Sequence, residues 1–304
     1  MVGTLPPGVK GVHVLPADHH NGPWDHIVVP PRTKERLLNH AVLRLRHGRA
    51  LSALPGLPHG LIILSGPPGT GKSTLAQGLA QTVARELAPD GSTTLIEVDP
   101  HAFPSEMLGD SQRNVVRFMT ETIPEFAARR PHTVVLVDEV ESLAVSRSQA
   151  SFETNPVDVH RATDALLAGM DEIAKEQPRV LFVCTTNFAG SIDEAFLSRA
   201  DYVLSIGLPS QVAVVTILQN SLRELAQIWP QTMPLASDDE LLARLAKHCE
   251  GWDGRKIRKL VLRALAESDA AARDPSRLTA EDLVSVAEAG NGRLDERLHR
   301  ILDF

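Results

Sequence analysis

Only two cysteines occur in the 304 residues, a scarcity that argues against an oxidising compartment. Cys184 sits inside an apolar, strand-like run, where a thiol reads as a small buried hydrophobe rather than a reactive group; neither it nor Cys249 enters the functional reading. Long apolar runs are missing as well. The stretches LIIL at Leu61 and VLFVC at Val180 fall far short of the ~20 residues a bilayer span needs, so no membrane helix is expected. The N-terminus, MVGTLPPGVKGVHVLP, lacks the basic-then-apolar layout of a secretory signal, which predicts a cytoplasmic chain. No stretch is both long and strongly polar, so extended disorder is expected only in the first twenty or so residues. Positive charge is not in excess either: the formal net charge is −7. That argues against a protein that coats nucleic acid, whose affinity comes from counterions released around phosphates.

What is present is a folded chain. Its 43% hydrophobic content suffices for an ordinary core, and its length allows one large domain or two modest ones. From Leu61 onward, short apolar runs alternate with longer segments of helical period, the pattern of a parallel sheet wrapped by helices. Five strands are expected: Leu61 to Ser65, Thr94 to Val98, Thr133 to Asp138, Arg179 to Thr185 and Tyr202 to Ile206. Between them Lys72 to Glu86, Gln112 to Ala128 and Asp158 to Lys175 repeat apolar residues every three or four positions. Each crossover is long enough to return the chain, so the strands run parallel. Upstream, Thr33 to Arg46 gathers Leu37, Leu38, Ala41, Val42 and Leu45 on one helical face. After Pro209 the strand-like runs stop, and Gln211 to Ile228, Asp238 to His248, Gly254 to Ser268 and Thr279 to Ala289 read as helices. The expected division is an aperiodic arm without a fold of its own over 1–23, a large α/β subdomain over 24–209 and an all-helical subdomain over 210–304.

GPPGTGKST, from Gly66 through Pro67, Pro68, Gly69, Thr70, Gly71, Lys72 and Ser73 to Thr74, has P-loop spacing between an apolar strand and a helix. Such a loop turns backbone N–H groups onto the phosphates of ATP. Lys72 supplies a mobile charge to the β and γ oxygens, and Ser73 offers a hydroxyl to Mg2+. A glycine turn that binds nothing would not need both flanks. Some sixty residues on, the apolar run Val134 to Val137 ends in Asp138 and Glu139, two carboxylates that a sheet would not bury without a purpose. Asp138 would hold Mg2+ through its water shell; Glu139 would orient and deprotonate the attacking water. The fourth strand ends in Thr185, Thr186 and Asn187 and is expected beside the second. An amide there offers donors and an acceptor to the γ-phosphate and the lytic water, although Asn also ends strands simply by favouring turns. Arg199 follows the short helical segment IDEAFLS, and Arg255 opens a helix after Gly251 and Gly254. Singly, each reads as a solvated arginine.

In this order the motifs resemble the AAA+ superfamily, in which Arg199 matches the arginine finger and Arg255 the sensor arginine of a helical lid. More specifically, the chain resembles the pachytene checkpoint protein 2 family, whose vertebrate member is thyroid hormone receptor interactor 13. LVDEVESL at Leu136 to Leu143, CTTN at Cys184 to Asn187, IDEAFLSRADYVLSIGLPS at Ile192 to Ser210 and GWDGRKIRKL at Gly251 to Leu260 carry that resemblance, which covers about residues 24–270. It implies that Trp24 and the following Ile27 and Val28 belong to the segment lining the adenine pocket. It also implies a homohexameric ATPase that engages HORMA-domain proteins, pulls an N-terminal segment into a central pore and converts a closed state to an open one. Bacterial relatives act on HORMA proteins of anti-phage systems built around a cyclic-oligonucleotide synthase, and this short chain resembles those most. Neither a membrane nor direct nucleic-acid binding is expected.

Two departures stand out. The eukaryotic relatives carry a folded N-terminal domain that grips substrate, whereas here the AAA+ core begins almost at once. The family's first pore loop usually has an aromatic where HAFPSEMLGDS places Met107 and Leu108; a flexible thioether can still grip an apolar peptide, and ordinary packing is the alternative reading. A second pore loop is expected in Ser146 to Pro156. The rival functions are another AAA+ unfoldase or DNA-associated ATPase, disfavoured by the acidic balance, and an ATP-gated scaffold that scarcely hydrolyses, for which Glu139 would have no use.

Overall fold

The computed structural model describes residues 5–17, 24–53, 56, 58–103, 110–144, 156–188, 190 and 192–290. Within them the chain forms two compact units. The first comprises the described residues within 5–24, 30–66 and 72–206; the second gathers Asp25–Val29, Pro67–Gly71 and 207–290.

The first unit is a six-stranded sheet of β1 (Val9–Leu15), β2 (Leu61–Ser65), β3 (Thr93–Val98), β4 (His132–Val137), β5 (Val180–Thr186) and β6 (Tyr202–Ser205), in the order β1-β3-β4-β5-β2-β6. The five expected strands are all present and mutually parallel. Every residue of β2, β4 and β5 is buried, which is why these segments read as unbroken apolar runs rather than as alternations. One side of the sheet buries Ile63, Val135, Val137, Phe182 and Cys184 in a core shared with Phe118, Met119, Leu166 and Met170. The helices of this unit are α1 (Thr33–Leu51), α2 (Lys72–Glu86), α3 (Asp110–Arg117), α4 (Ile123–Ala127), α5 (Pro156–Glu176) and α6 (Glu194–Leu197). The expected helix over 112–128 is interrupted by a π-helical turn, Phe118–Thr122, that joins α3 to α4. Such a turn inserts one extra residue into the helical repeat.

Two expectations are corrected here. The segment before Trp24 is not structureless: β1 pairs antiparallel with β3 from Val9↔Val98 to Leu15↔Thr93. A register shift between Val9 and Gly11 breaks the alternation that would have revealed the strand, and an edge strand has only one neighbour to satisfy. Nor does the strand leading to Asn187 lie beside Thr94–Val98. It sits between β4 and β2, because a crossover's length dictates parallel direction but not how many positions the chain skips. This places the carboxyl ends of β4, β5 and β2 side by side, with Val137 opposite Cys184 and Thr186 opposite Ser65.

Two side chains tie the amino ends of the strands. Asp201, just before β6, accepts hydrogen bonds from the backbone N–H groups of His59, Gly60 and Leu61 at 3.1, 2.7 and 3.2 Å. Arg44 on α1 is buried and donates from Nε to the Val180 carbonyl at 3.0 Å.

The second unit is helical: α7 (Gln211–Ile228), α8 (Met233–Ala236), α9 (Asp239–His248), α10 (Gly254–Glu267), α11 (Asp269–Arg273) and α12 (280–290). Ser210, Asp238, Asp253 and Ser268 each accept a backbone N–H at the start of α7, α9, α10 and α11, caps worth about 1 kcal/mol apiece. The helices close over Leu218, Leu222, Leu242, Leu245, Ile257 and Leu260. Trp252, 3% exposed, carries the ammonium of Lys256 over its ring at 3.7 Å. Among the described residues no helix is long and apolar enough to cross a membrane.

Candidate nucleotide site

The first unit collects its polar groups where β2, β4 and β5 end. β2 stops at Ser65, and Gly66 turns out of the sheet with φ 146. A Cβ at Gly66 would lie 2.0 Å from the Ile206 carbonyl oxygen, so only glycine fits this departure. The chain then opens α2 at Lys72. Lys72 is 6% exposed, and its Nζ donates to the Gly66 carbonyl and to Asn187 Oδ1, both at 2.8 Å. Its ammonium is therefore held between the ends of β2 and β5 by two neutral oxygens.

Ser73 donates from Oγ to Asp138 Oδ1 at 2.7 Å, and Thr185 donates to the same carboxylate oxygen. Thr185 also accepts from the Glu139 N–H at 3.2 Å, so one hydroxyl on β5 positions both acidic residues that follow β4. These oxygens fit Mg2+. Among the described residues no group of three or more His, Cys, Asp or Glu could hold a metal alone, and Mg2+ in phosphate sites is held by one or two protein oxygens together with water and phosphate.

Glu139 has left-handed backbone angles, φ 57 and ψ 53, at a cost of roughly 1–2 kcal/mol for a non-glycine residue. Strain at such a place accompanies a constrained role, and here it turns the side chain toward β5. Its Oε1 accepts from Asn187 Nδ2 at 3.0 Å, and its Oε2 lies 3.6 Å from His101 Nε2. With Oδ1 facing Lys72 and Nδ2 facing Glu139, the Asn187 amide can point only one way. Glu141 completes the arrangement by accepting the Asn187 N–H at 3.1 Å. The carboxylate of Glu139 stays half exposed, open to a water molecule and fixed in direction by an amide.

The expected site residues thus divide in two. Gly66, Lys72, Ser73, Asp138, Glu139 and Asn187 are joined by hydrogen bonds in the first unit, with Thr74 half-buried in the first turn of α2. Pro67, Pro68, Gly69, Thr70 and Gly71 cluster with the helical unit, where the Thr70 hydroxyl donates to the Pro67 carbonyl at 2.9 Å. There Ile27 packs on the loop, its Cδ1 2.8 Å from where a Cβ of Gly71 would stand, and Val28 packs on the helical core. Arg255 is exposed, and its N–H donates to the Gly69 carbonyl at 3.1 Å. Arg199 is only partly exposed and is not a free surface arginine. Its Nε and NH2 grip both oxygens of Asp171 at 2.8 Å, and NH1 donates to the Ala195 carbonyl at 2.8 Å. That bidentate bond to Arg199 holds the Asp171 carboxyl below its ordinary range and raises the guanidinium; His59 Nε2 approaches the same carboxylate at 3.2 Å. Met107 and Leu108 lie outside the described residues, as do 146–155 of the second expected pore loop.

Sequence reasoning assigned no role to Thr185, Glu141, His101 or Asp171. Thr185 and Glu141 stand inside CTTN and DEVESL, so polar residues within those stretches were the available signal. Asp171 had none, being an acidic residue on a long helix.

Against known proteins, residues 62–208 match the model of the ATPase family associated with various cellular activities (AAA). CD-NTase-associated protein 6 of Pseudomonas aeruginosa is 43% identical over 284 residues, covering 93% of this chain and 92% of that protein. The pachytene checkpoint protein 2 homolog of Arabidopsis thaliana is 32% identical over 296 residues, covering 86% of this chain but only 63% of the plant protein. In the solved structure of the E. coli MS115-1 HORMA:CdnC:Trip13 complex, one chain matches 92% of this one with a TM-score of 0.75 at 19% identity, a likeness of fold.

Proposed function

Because the chain belongs to the pachytene checkpoint protein 2 family of AAA ATPases, in its bacterial CD-NTase-associated branch, we propose that it is a hexameric, cytoplasmic ATPase that partly unfolds a HORMA-domain partner. In this reading it opens the closed partner, frees it from a bound peptide or a cyclic-oligonucleotide synthase, and so regulates anti-phage signalling. The observation that carries the ATPase reading is the continuous Lys72–Asn187–Glu139 hydrogen-bond chain. It links the phosphate-binding amine to the carboxylate that would activate water.

The chain's own residues have separable tasks. Backbone N–H groups of the loop and Lys72 bind the phosphates of the substrate ATP. Ser73 and Asp138 would hold Mg2+, which when bound neutralises charge on the β and γ oxygens. Asn187 orients both the γ-phosphate and the lytic water, and Glu139 accepts the water's proton. Ile27 and Val28 would flank adenine, and Arg255 would act as the sensor arginine. Arg199 would act on the nucleotide of the neighbouring subunit, where such a guanidinium is worth about 10³ to 10⁵ in rate. It must then exchange the Asp171 carboxylate for a phosphate, anion for anion, so the finger is stored folded onto its own subunit. Opening a partner's terminal segment is a modest task, since such segments open at a fraction of the 5 to 15 kcal/mol that holds a typical domain.

The decisive experiment is a Glu139→Gln trap, expected to bind ATP, turn over slowly and retain its substrate on affinity purification. Recovery of a HORMA-domain protein supports the reading; its consistent absence overturns the partner and leaves the ATPase assignment intact.

A further inference from the structure

The same sheet carries a second polar centre at the opposite ends of its strands. Where β4 and β5 begin, a cavity of about 550 Å³ is lined by Arg49, Arg129, Arg130 and Arg179 together with Glu176 and Gln177. Six residues of strand separate it from Asp138, a span of about 20 Å, so it is no part of the site above. We propose that this cavity binds a small phosphate-bearing molecule through its arginines.

The volume lies within the range of ligand sites, roughly 300 to 1,000 Å³. Arg129 is paired with Glu125 and adds donors without net charge. Among the described residues Arg49, Arg130 and Arg179 have no ion-pair partner, and Arg179 Nε is buried without a hydrogen bond. A buried guanidinium nitrogen left unsatisfied is costly, and a bound acceptor would remove that cost. Two opposing charges must be weighed. Glu176 contributes one, and the carboxyl-terminal ends of α4 and α5 contribute about half a charge each; together they offset two of the three unpaired arginines. The balance stays positive, and His132 is buried beside the cavity's Pro131 and Thr133 at the start of β4. After burial, the Arg179 guanidinium is the largest influence lowering that imidazole's pKa. Phosphate is the anion that suits this centre, because planar guanidinium forks bind its oxygens in pairs. The cavity is half open between three elements, and its volume suits a small molecule.

Calorimetric titration of inorganic pyrophosphate into the Lys72→Ala protein, whose P-loop is disabled, tests this. One saturable site per chain is expected, weakened at least tenfold by Arg130→Glu and several-fold by Arg179→Lys, which retains charge but removes the fork. In the chain with Lys72 intact, both arginine variants should leave ATP turnover unchanged, which also shows that they fold. ADP titrated in parallel identifies the source: tighter binding than pyrophosphate marks a nucleotide, equal binding marks phosphate alone, and either supports the site. No saturable binding in Lys72→Ala, or binding indifferent to both arginine changes, overturns the proposal. Neither result bears on the HORMA reading, which rests on other residues.

Discussion

The sheet unit and the helical unit hold their functional residues by different means. In the sheet unit, Lys72, Asp138, Glu139 and Asn187 are fixed by one another's side chains and by Thr185. In the helical unit, the residues proposed to contact nucleotide are placed by backbone and packing: Arg255 through its N–H on Gly69, Val28 through the apolar core around Trp252. A network of side chains keeps a reacting geometry rigid, whereas a residue held only by its backbone leaves its side chain free to swing. Chemistry should therefore be sensitive to single atoms in the first unit, and stability to single volumes in the second.

The sharpest way to break that contrast is the change of one atom pair in Glu139→Gln. It preserves shape and the bond from Asn187 while removing the base, so steady-state ATP turnover is expected to fall about 10²- to 10⁴-fold with nucleotide affinity retained. Next comes Trp252→Ala. Removing a buried indole and its cation–π partner should destabilise the helical unit by about 3–5 kcal/mol, read as an earlier unfolding transition, while the sheet unit keeps its own melting behaviour. A single concerted loss of both units would refute the separation.

Asp171→Asn probes the stored arginine at smaller cost. Loss of the competing anion frees the Arg199 guanidinium, so turnover should hold or rise modestly with unchanged ATP affinity, whereas Arg199→Ala, which removes the proposed finger, should lower it. The pH dependence gives an independent reading. The native carboxyl is depressed by Arg199, so its contribution is present above the ordinary value of about 3.9 and is lost as pH falls through the lowered native one. Melting curves of the wild type should therefore lose more stability between pH 5 and pH 2 than those of Asp171→Asn. The smallest expected signal is at the thiols. Burial pushes Cys184 up and Cys249 up to about 11, so both should resist a thiol reagent at pH 8 in the native protein and react at once after unfolding.

Much of the site was legible because its residues stand in short contiguous motifs, the glycine-rich loop between β2 and α2 and the polar residues that follow the apolar runs of β4 and β5. Gly66, Lys72, Ser73, Asp138, Glu139 and Asn187 announced themselves in this way. Asp171 did not, because its pairing with Arg199 spans 28 residues and leaves no local pattern. The arginine cavity was equally silent: its residues come from α1, the α4–β4 link and the α5–β5 link, and each alone reads as an ordinary surface cation. β1 was missed because its bulge interrupts the alternation that signals a half-buried strand.

By itself the sequence determined where the glycine-rich loop stands between strand and helix, the parallel direction of five strands and the helical character of the described residues after Pro209. These follow from local spacing and from the burial that unbroken apolar runs demand. Only the tertiary structure decided that β5 lies between β4 and β2, that Arg199 rests on Asp171, and that four arginines meet at the far end of the sheet. Each of these depends on how many strands a crossover skips and on which distant side chains then come within 3 to 4 Å. No local preference encodes that. It is settled when the whole sheet closes over its core.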